Sequence, residues 1–208
     1  MIRNNSLHGW KKLGGGGLFV LENGAIVGTS VVDSVNTFLV TEKEYGDFVL
    51  ELDVMIKSEL SNSGIQTRSH FGGSQHAGKV YGRQMEIDPS NRKWTGGIYD
   101  EERREWLYPL TLNVPAKEAF SVGKYNHVKI ECIGNEMKTW INHVPAAYLK
   151  DPVDRTGFIG LQVHAAGDVE KPGTKVYFKN IRIKTTGLVP EKMSAQIQVV
   201  DTGSSGKL

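Results

Sequence analysis

The stretch that decides the fold is Val80-Tyr81-Gly82-Arg83-Gln84-Met85-Glu86-Ile87-Asp88-Pro89. Side chains of a β-strand alternate between its two faces, so a strand here places Gln84, Glu86 and Asp88 on one face. Met85 and Ile87 then lie on the opposite, apolar face. Proline cannot donate a hydrogen bond to a neighbouring strand, so we expect the strand to end before the final residue of the stretch. The pattern predicts an antiparallel strand with one buried face and one solvated, polar face.

The same alternation recurs along most of the chain, and its longest example is Phe48–Lys57. Two apolar runs flank Asn23-Gly24, a dipeptide typical of tight β-hairpin turns. Further alternating runs are Ile65–Ser69, His127–Ile133, Met137–Ile141, Gly157–His164 and Val176–Ile183. No amphipathic helical pattern precedes Leu188. About a dozen short strands with regularly spaced turn signals predict an all-β sandwich of two antiparallel sheets.

Composition excludes several classes of function. The 208 residues carry a net charge of +2 with interspersed signs and no basic block, so we expect no nucleic-acid partner. No apolar run approaches the roughly 20 residues that a membrane-spanning helix needs. The single cysteine, Cys132, falls within an alternating run and is predicted to be a buried apolar residue. The mixed charge cluster Asp100–Glu105 is predicted to be a solvated loop.

An ordered series of short motifs resembles one known family, the 3-keto-disaccharide hydrolase domain family. The motifs are Leu7-His8-Gly9-Trp10-Lys11, Glu44-Tyr45-Gly46-Asp47-Phe48, Asn62-Ser63-Gly64-Ile65 with Arg68, Tyr81–Asp88, Gly96-Gly97-Ile98-Tyr99, Trp140-Ile141-Asn142, Gly157–His164 and Phe178–Ile183. The resemblance covers roughly residues 5 to 186. It implies a concanavalin A-like jelly-roll sandwich, related to laminin G domains and many glucanases, with a sugar site on the concave sheet.

The resemblance also sets the expected domain organisation. We expect one jelly-roll domain over residues 1–186 and a partly flexible C-terminal tail over residues 187–208; the sequence makes no prediction of oligomeric state. The family is common in bacterial saccharide-degradation systems, which implies a periplasmic or secreted protein. Residues 1–5 have no apolar core, so no leader peptide is present in this sequence.

Polar side chains at alternate positions of several predicted strands converge if those strands are neighbours in one sheet. They are Gln66, Arg68, Gln84, Glu86, Asp88, Tyr99, Gln162 and His164. Planar amide, guanidinium and imidazole groups hydrogen-bond sugar hydroxyls while an aromatic ring stacks on the pyranose. We therefore expect a carbohydrate substrate, bound by Gln66, Gln84, Tyr99, Gln162 and Trp106. Trp106 and Tyr108 form either a stacking lip over this site or a cover over the core edge.

The catalytic candidates are His164, Glu86, Asp88 and Arg68. The Glu86-x-Asp88 pattern resembles the carboxylate pair of β-glucanases, but Ser90 and Asn91 stand where a second glutamate is needed, which disfavours a double-displacement glycosidase. The resemblance implies instead that a base removes the C2 proton of a 3-keto sugar and that the C1 oxygen then leaves. His164 is the first candidate for the base, with Glu86 or Asp88 second.

The enolate formed in such a reaction needs a positive neighbour. Arg68, or a divalent cation held by Glu86, Asp88 and His164, would supply it. The loop residues His70 and His76 are further candidate cation ligands, although loop histidines are usually solvated. A structural interpretation stands beside each role, because His164 could serve only as a hydrogen-bonding residue and Arg68 only as a counter-charge for Glu86 or Asp88.

Two other classes of function use the same sequence features. A non-catalytic carbohydrate-binding module would bind sugar through the polar patch and its aromatic residues without needing a base. A structural or partner-binding sandwich of the laminin G kind would bind no sugar. The mixture of carboxylates, arginine and histidine favours an enzyme, because binding modules rely mainly on aromatic residues and amides.

Overall fold

The computed structural model describes residues 6–33, 35–72, 76–167 and 170–203. Within them lie fifteen strands and two short 3-10 turns, Leu110–Leu112 and Val114–Glu118. The first eight strands are β1 (Trp10–Gly14), β2 (Leu18–Glu22), β3 (Ala25–Thr29), β4 (Thr37–Thr41), β5 (Phe48–Ile56), β6 (Ser63–Phe71), β7 (Val80–Ile87) and β8 (Ile98–Glu101). The others are β9 (Glu105–Tyr108), β10 (Asn126–Ile133), β11 (Glu136–Ile141), β12 (Val144–Lys150), β13 (Phe158–Val163), β14 (Lys175–Lys184) and β15 (Val199–Asp201).

The predicted domain and tail include residues 1–5 and 204–208, which lie outside the described residues. Residues 73–75 of the glycine-rich loop lie outside them as well. Neither helical turn in the described part of the chain has the length and apolar character that a membrane span requires.

The strands form two stacked sheets. One has seven strands in the order β1-β4-β13-β6-β7-β8-β9, and the other has eight in the order β15-β12-β11-β10-β5-β14-β3-β2. All neighbouring strands pair antiparallel except β12 and β15, which are parallel. The predicted jelly-roll sandwich of two antiparallel sheets is confirmed.

The core lies between the sheets and follows the alternation in the sequence. In β5 every second residue is buried, and Phe48, Val54 and Ile56 have no exposed surface. The facing sheet contributes Ile65 and Met85, which are also fully buried. Burying a large apolar side chain stabilises a fold by about 1.5–3 kcal/mol, so this core is the main source of stability. Cys132 belongs to it, as predicted.

The segment beyond residue 186, which we predicted to be partly flexible, contributes a strand. In β15 Val199, Val200 and Asp201 pair with residues 148–150 of β12. The Tyr108 hydroxyl donates a hydrogen bond to the Gln198 carbonyl (2.9 Å). The described part of this segment, to residue 203, therefore extends the eight-stranded sheet. Tyr108 is fully buried and covers the core edge, which is the second of the two roles proposed for it.

The charge cluster at 100–105 is not a solvated loop, contrary to the prediction. It forms the ends of β8 and β9 and the turn between them. Asp100 is fully buried and accepts hydrogen bonds from Arg103 Nη2 (2.7 Å) and from Arg104. Arg104 also binds Asp151 at 2.8 Å, so the cluster joins this hairpin to the loop after β12. Asp100 is thus buried against its arginines, whereas Glu102, Arg104 and Glu105 remain exposed at the turn.

Arg68 does not lie beside Gln66, because a β-bulge interrupts β6. The pairing of β6 with β7 shifts register between Thr67 and His70, and Arg68 has a φ of 49°. Because of the bulge, Ser69 and not Arg68 lies next to Gln66. The Ser69 hydroxyl donates a hydrogen bond to Gln66 Oε1 (2.5 Å). Strict alternation, the basis on which we placed Arg68 in the site, fails at this one residue.

The Arg68 side chain is instead fully buried against two loops. Its guanidinium donates to the Gly46 carbonyl (2.8 Å), the Gly134 carbonyl (2.8 Å) and Asp47 Oδ1 (2.8 Å). Burial lowers the pKa of the guanidinium, and the adjacent Asp47 opposes that shift. Arg68 therefore ties the strand to the turns that precede β5 and follow β10.

Replacing Arg68 with methionine should lower the free energy of unfolding by about 3 kcal/mol, because the Gly46 and Gly134 carbonyls and Asp47 lose the buried charged donor that joins them. Urea denaturation measures the change. The matched control is Arg182→Met, since Arg182 is 69% exposed and pairs with Glu51 at the surface. Its loss should stay below about 1 kcal/mol. Equal losses in the two variants would contradict the structural role of Arg68.

Candidate functional site

A cleft of about 570 Å³ lies on the outer face of the seven-stranded sheet. Nearly all of its lining is polar or aromatic. The lining residues are Asn36, Asn62, Gln84, Glu86, Arg92, Tyr99, Glu101, Glu102, Arg103, Glu105, Trp106, Gln162 and His164. Of the nine predicted site residues, six line this cleft: Glu86, His164, Gln84, Tyr99, Gln162 and Trp106.

The floor of the cleft is a row of residues in cross-strand register. Gln66 pairs with Gln84, Gln84 with Tyr99, and Tyr99 with Trp106. The convergence that we predicted from separate strands is therefore realised on four adjacent strands. Tyr99 and Trp106 meet edge to face with ring centroids 5.3 Å apart.

This polar face is buried, whereas a solvated face was predicted for β7. Gln66 is fully buried, Gln84 is 1% exposed and Glu86 is 5% exposed. Buried amides and carboxylates cost free energy unless they are hydrogen-bonded, so their partners decide the geometry. Gln66 lies beside Gln84 on β6 but does not line the cleft, so it supports the site through its hydrogen bond to Gln84 and does not reach a ligand directly.

Glu86 is held by amides on both carboxylate oxygens. Asn62 Nδ2 donates to Oε1 (2.7 Å), and Gln84 Nε2 donates to Oε2 (2.9 Å). Gln84 Oε1 in turn accepts from Gln66 Nε2 (3.0 Å), and Gln66 Oε1 accepts from Ser69. Each amide is thereby fixed in one orientation, with its oxygen towards Ser69 and its nitrogen towards Glu86.

Burial raises the pKa of Glu86 to about 7, while the hydrogen bonds from Asn62 and Gln84 oppose that shift. A carboxyl group with a near-neutral pKa can accept and return a proton at physiological pH. It also retains lone pairs towards the cleft, because each oxygen accepts only one of these hydrogen bonds. Glu86 is therefore held in one orientation with a pKa that suits proton transfer.

Glycine at position 64 makes the Gln84 orientation possible. Gly64 is the cross-strand neighbour of Glu86 in β6. A Cβ atom there would lie 2.1 Å from Gln84 Cδ and 2.5 Å from Gln84 Nε2. The Gln84 side chain thus lies over a residue without a side chain, and any substitution would displace it from Glu86.

A second buried carboxyl group, Glu101, lies on the opposite side of the row from Glu86. Gln84 of β7 pairs with Tyr99 of β8. Glu86 lies two residues after Gln84, and Glu101 lies two residues after Tyr99. Because the strands are antiparallel, the two glutamates flank the pair on opposite sides. Their Cα positions are about 13 Å apart along the strands, at 3.3 Å per residue. Asn36 Nδ2 donates to Glu101 Oε1 (2.9 Å), and burial raises the pKa of Glu101 to about 7.

His164 lies at the edge of the cleft, just after β13. Its Nδ1 is 3.0 Å from the Ala165 carbonyl and donates to it, which leaves Nε2 as an acceptor. Burial lowers the pKa of His164, so its imidazole is neutral at pH 7. Glu170 Oε2 lies 3.6 Å from His164 Nδ1 and accepts from the Asn62 backbone N–H (3.1 Å), and burial raises the Glu170 pKa to about 7.

An aromatic wall with one arginine closes the side of the cleft near Glu86. The Arg92 guanidinium lies 4.8 Å from the Trp94 ring centroid and 5.4 Å from that of Trp106. Asp88 Oδ2 is 2.7 Å from Arg92 Nη2, while the Arg92 side chain is still 50% exposed. Stacking on aromatic faces and pairing at one edge hold the guanidinium in place.

Two of the predicted catalytic residues are not in the cleft. Arg68 is buried in the loops described above. Asp88 lies in a neighbouring depression and binds Arg92, because β7 ends at Ile87 and the alternation ends with it. Asp88 therefore positions an arginine and is not placed to act as a base within the cleft.

The predicted cation ligands are not brought together. In residues 6–33, 35–72, 76–167 and 170–203 there is no group of three His, Cys, Asp or Glu side chains close enough to hold a metal ion. Asp88 binds Arg92, and Glu86 binds two amides. The donor set proposed from the sequence, with Glu86, Asp88 and His164, does not fit a divalent cation in this geometry. His70 lies against Asp154 (3.2 Å), and His76 stacks on Tyr81.

The sequence analysis missed several lining residues. Glu101 carried a signal, since it follows Tyr99 by two positions and so shares its face, but its charged neighbours concealed that pattern. Asn36, Asn62 and Arg92 precede or follow strands, where alternation makes no prediction. Only the tertiary fold brings these loop residues to the cleft.

Comparison with known proteins identifies a family. The model of the 3-keto-alpha-glucoside-1,2-lyase-like domain matches residues 3–184. The curated proteins include no match to the chain.

Solved structures with the same fold are less than 25% identical. A protein from Parabacteroides distasonis ATCC 8503 assigned as a glycosyl hydrolase is 21% identical, with a TM-score of 0.59 over 85% of this chain and 88% of that one. The carbohydrate-binding module CBM66 from Bacillus subtilis is 19% identical, with a TM-score of 0.54 over 85% and 95%. A Bacillus subtilis protein of unknown function with a galectin-like fold is 12% identical, with a TM-score of 0.63 over 88% and 92%. These likenesses establish the fold.

The raised pKa of Glu86 predicts a specific pH dependence of stability. The folded state binds this proton more tightly than the unfolded state, so the stabilisation is complete below about pH 4.5 and is lost as the pH rises through about 7. Glu86→Gln removes this group, so between these values the free energy of unfolding should fall less steeply, by up to roughly 1.4 kcal/mol per pH unit.

Urea denaturation at a series of pH values measures this slope. The slope is the readout because the glutamine amide also meets two donors and lowers stability at every pH. Glu118→Gln alters an exposed carboxyl group (74% exposed) and should leave the profile parallel to that of the wild type. A Glu86→Gln profile parallel to the wild type would contradict the prediction.

Proposed function

The chain belongs to the 3-keto-alpha-glucoside-1,2-lyase-like domain family, and from that premise we propose that it cleaves 3-keto-glycosides, 3-keto-disaccharides among them. The reaction is base-assisted elimination followed by hydration, a net hydrolysis. One observation carries the proposal: Glu86, with a pKa of about 7, is held by two amides on the floor of a cleft bordered by aromatic rings.

The chemistry requires a base and a stabiliser of negative charge. A ketone at C3 acidifies the C2–H bond, and a base that removes this proton leaves the electron pair in an enolate. The enolate pair then forms the C1=C2 bond, the C1–O bond breaks, and the leaving oxygen takes a proton. Water next adds its oxygen at C1, while C2 regains a proton, which completes the hydrolysis.

Glu86 is the base that the geometry supports best. Its carboxylate is oriented by Asn62 and Gln84 and faces the cleft, and its near-neutral pKa allows it to take the C2 proton and pass it to the leaving oxygen. His164, our first candidate from the sequence, suits the second half of the reaction. Its neutral ring has Nε2 as an acceptor, so it can take a proton from the water that adds at C1.

Arg92 takes the role that we predicted for Arg68. It lines the cleft beside Glu86 and retains N–H donors that Asp88 does not occupy. A guanidinium held at one edge can direct its remaining donors at an enolate oxygen without a large cost in conformational entropy.

A carbohydrate-binding module remains the second candidate function. The in-register row of Gln84, Tyr99 and Trp106 would bind a pyranose ring without any proton transfer. This alternative needs the aromatic residues and amides but gives no role to the raised pKa of Glu86.

Incubation of the protein with a 3-keto-glucoside and with its unoxidised parent, followed by mass spectrometry of the products, tests the proposal. We expect cleavage of the keto sugar alone, because only the C3 carbonyl acidifies the C2 proton. Glu86→Gln should lower kcat by at least about 100-fold, as for loss of a general base. Glu118→Gln changes a carboxyl group that is exposed and does not line the cleft, so this variant should retain full activity.

The alternatives give different products. Cleavage of the unoxidised parent would indicate a classical glycosidase. Binding of both sugars without turnover would indicate a carbohydrate-binding module, and no binding of either would indicate a structural or partner-binding domain.

Replacing His164 with asparagine should separate the two halves of the reaction. Elimination continues because Glu86 is intact, whereas water addition slows because the proton acceptor for water is gone. The unsaturated keto sugar, lighter by one water than the hydrated product, should therefore accumulate in single-turnover samples analysed by mass spectrometry. Equal slowing of both steps would contradict this division of roles.

A further inference from the structure

The cleft is rich in negative groups. Four carboxyl groups line it: Glu86, Glu101, Glu102 and Glu105. Only two guanidinium groups do so, those of Arg92 and Arg103. In the described part of the chain, ion pairs join Glu102 to Lys79 (2.9 Å), whereas none joins Glu86, Glu101 or Glu105 to a cation.

Both arginines are already neutralised from outside the lining. Arg92 Nη2 lies 2.7 Å from Asp88. Arg103 Nη2 lies 2.7 Å from Asp100, which is fully buried, and also contacts Asp154. Each guanidinium already has a carboxylate partner, so a negatively charged ligand would meet the unpaired Glu86, Glu101 and Glu105 with only the remaining N–H donors of Arg92 to offset them.

The hydrogen-bonding character of the floor points the same way. The amide nitrogens of Asn62 and Gln84 are directed at Glu86, and that of Asn36 at Glu101. Gln162 lines the cleft and is 1% exposed, and its Oε1 has no hydrogen-bond partner among the described residues. A buried acceptor without a partner costs about 1–3 kcal/mol, which a donor on a ligand would recover.

From these contacts we propose that the cleft selects saccharides that are uncharged or carry an amino group, and rejects those that carry a carboxylate, sulfate or phosphate. Gln162 and Glu101 are the residues that discriminate. Gln162 Oε1 accepts from a hydroxyl or ammonium group, and Glu101 repels an anionic substituent on the side of the row opposite Glu86. The inference rests on the proposed function only in taking the ligand to be a saccharide.

The discrimination follows from the chemistry of the ligand groups. A hydroxyl or ammonium group brings a hydrogen to the buried acceptors. A carboxylate, sulfate or phosphate brings only acceptor oxygens and a like charge, and like-charge juxtaposition in a partly desolvated site opposes binding. The difference in affinity would come largely from repulsion of the anionic ligands and less from attraction of the neutral ones.

Isothermal titration of the full chain at about pH 8, where Glu101 with its pKa of about 7 is mostly ionised, tests the inference with three unoxidised sugars. Methyl glucoside, methyl glucosaminide and methyl glucuronide, each in both anomeric forms, differ at one substituent and undergo no elimination. We expect the glucuronide to bind at least about tenfold more weakly than the glucoside, and the glucosaminide to bind at least as tightly as the glucoside.

Two variants locate the effect. Glu101→Gln keeps the shape and an acceptor oxygen but removes the charge, so the ratio of glucoside to glucuronide affinity should fall by at least about threefold. Gln162→Leu removes the buried acceptor and should weaken the glucoside and the glucosaminide by about tenfold. Glu118→Gln is the matched carboxyl control and should change neither the ratio nor the affinity.

The results separate this inference from the proposed function. Glucuronide binding as tight as that of the glucoside, or a Glu101→Gln ratio equal to the wild-type ratio, would overturn the inference even if the keto sugar is cleaved. The expected selectivity would support it even if no keto sugar is cleaved. Absence of binding by all three sugars would overturn it as well, whatever the cleavage assay shows.

Discussion

The candidate site depends on a set of hydrogen bonds among buried amides. Ser69, Gln66 and Gln84 donate in sequence towards Glu86, and Asn62 donates to its other oxygen. Without these bonds the outer face of β6 and β7 would hold polar groups buried without partners, at a cost of about 1–3 kcal/mol each. Because Gln66 and Gln84 each both accept and donate, a change at either one reorients the other. The position of the Glu86 carboxylate is therefore a property of the whole set.

Much of the fold was predictable from the sequence. Alternation over Phe48–Lys57 corresponds to β5 (Phe48–Ile56). Alternation also predicts that Gln66, Gln84 and Tyr99 share one face, and they pair in register on three adjacent strands. The prediction failed where the backbone departs from ideal pairing. At Arg68 a single extra residue in β6 moved a long side chain from the cleft to the loops, and no residue type in the sequence announced it.

The remaining site residues depend on tertiary structure. Asn62 reaches Glu86 from the residue before β6, and Arg92 reaches the cleft from the turn after β7, so periodicity does not apply to either. The burial of Gln84 and Glu86 could not be predicted from alternation either. A polar face has the same sequence pattern whether loops cover it or solvent does. The resemblance identified the family, while the hydrogen bonds distinguished the residues that line the cleft from those that support it.

The strand order of the eight-stranded sheet has a consequence for biosynthesis. β14 lies between β5 and β3 and pairs with both, so Phe178 is opposite Ile26 and also opposite Val54. The two N-terminal parts of this sheet therefore stay separate until residues 175–184 have left the ribosome. Contacts between such distant segments slow folding and leave strand edges exposed in partial chains. Until residues 175–184 have emerged, the edges of β3 and β5 that pair with β14 are unpaired, and the nascent chain needs protection from aggregation.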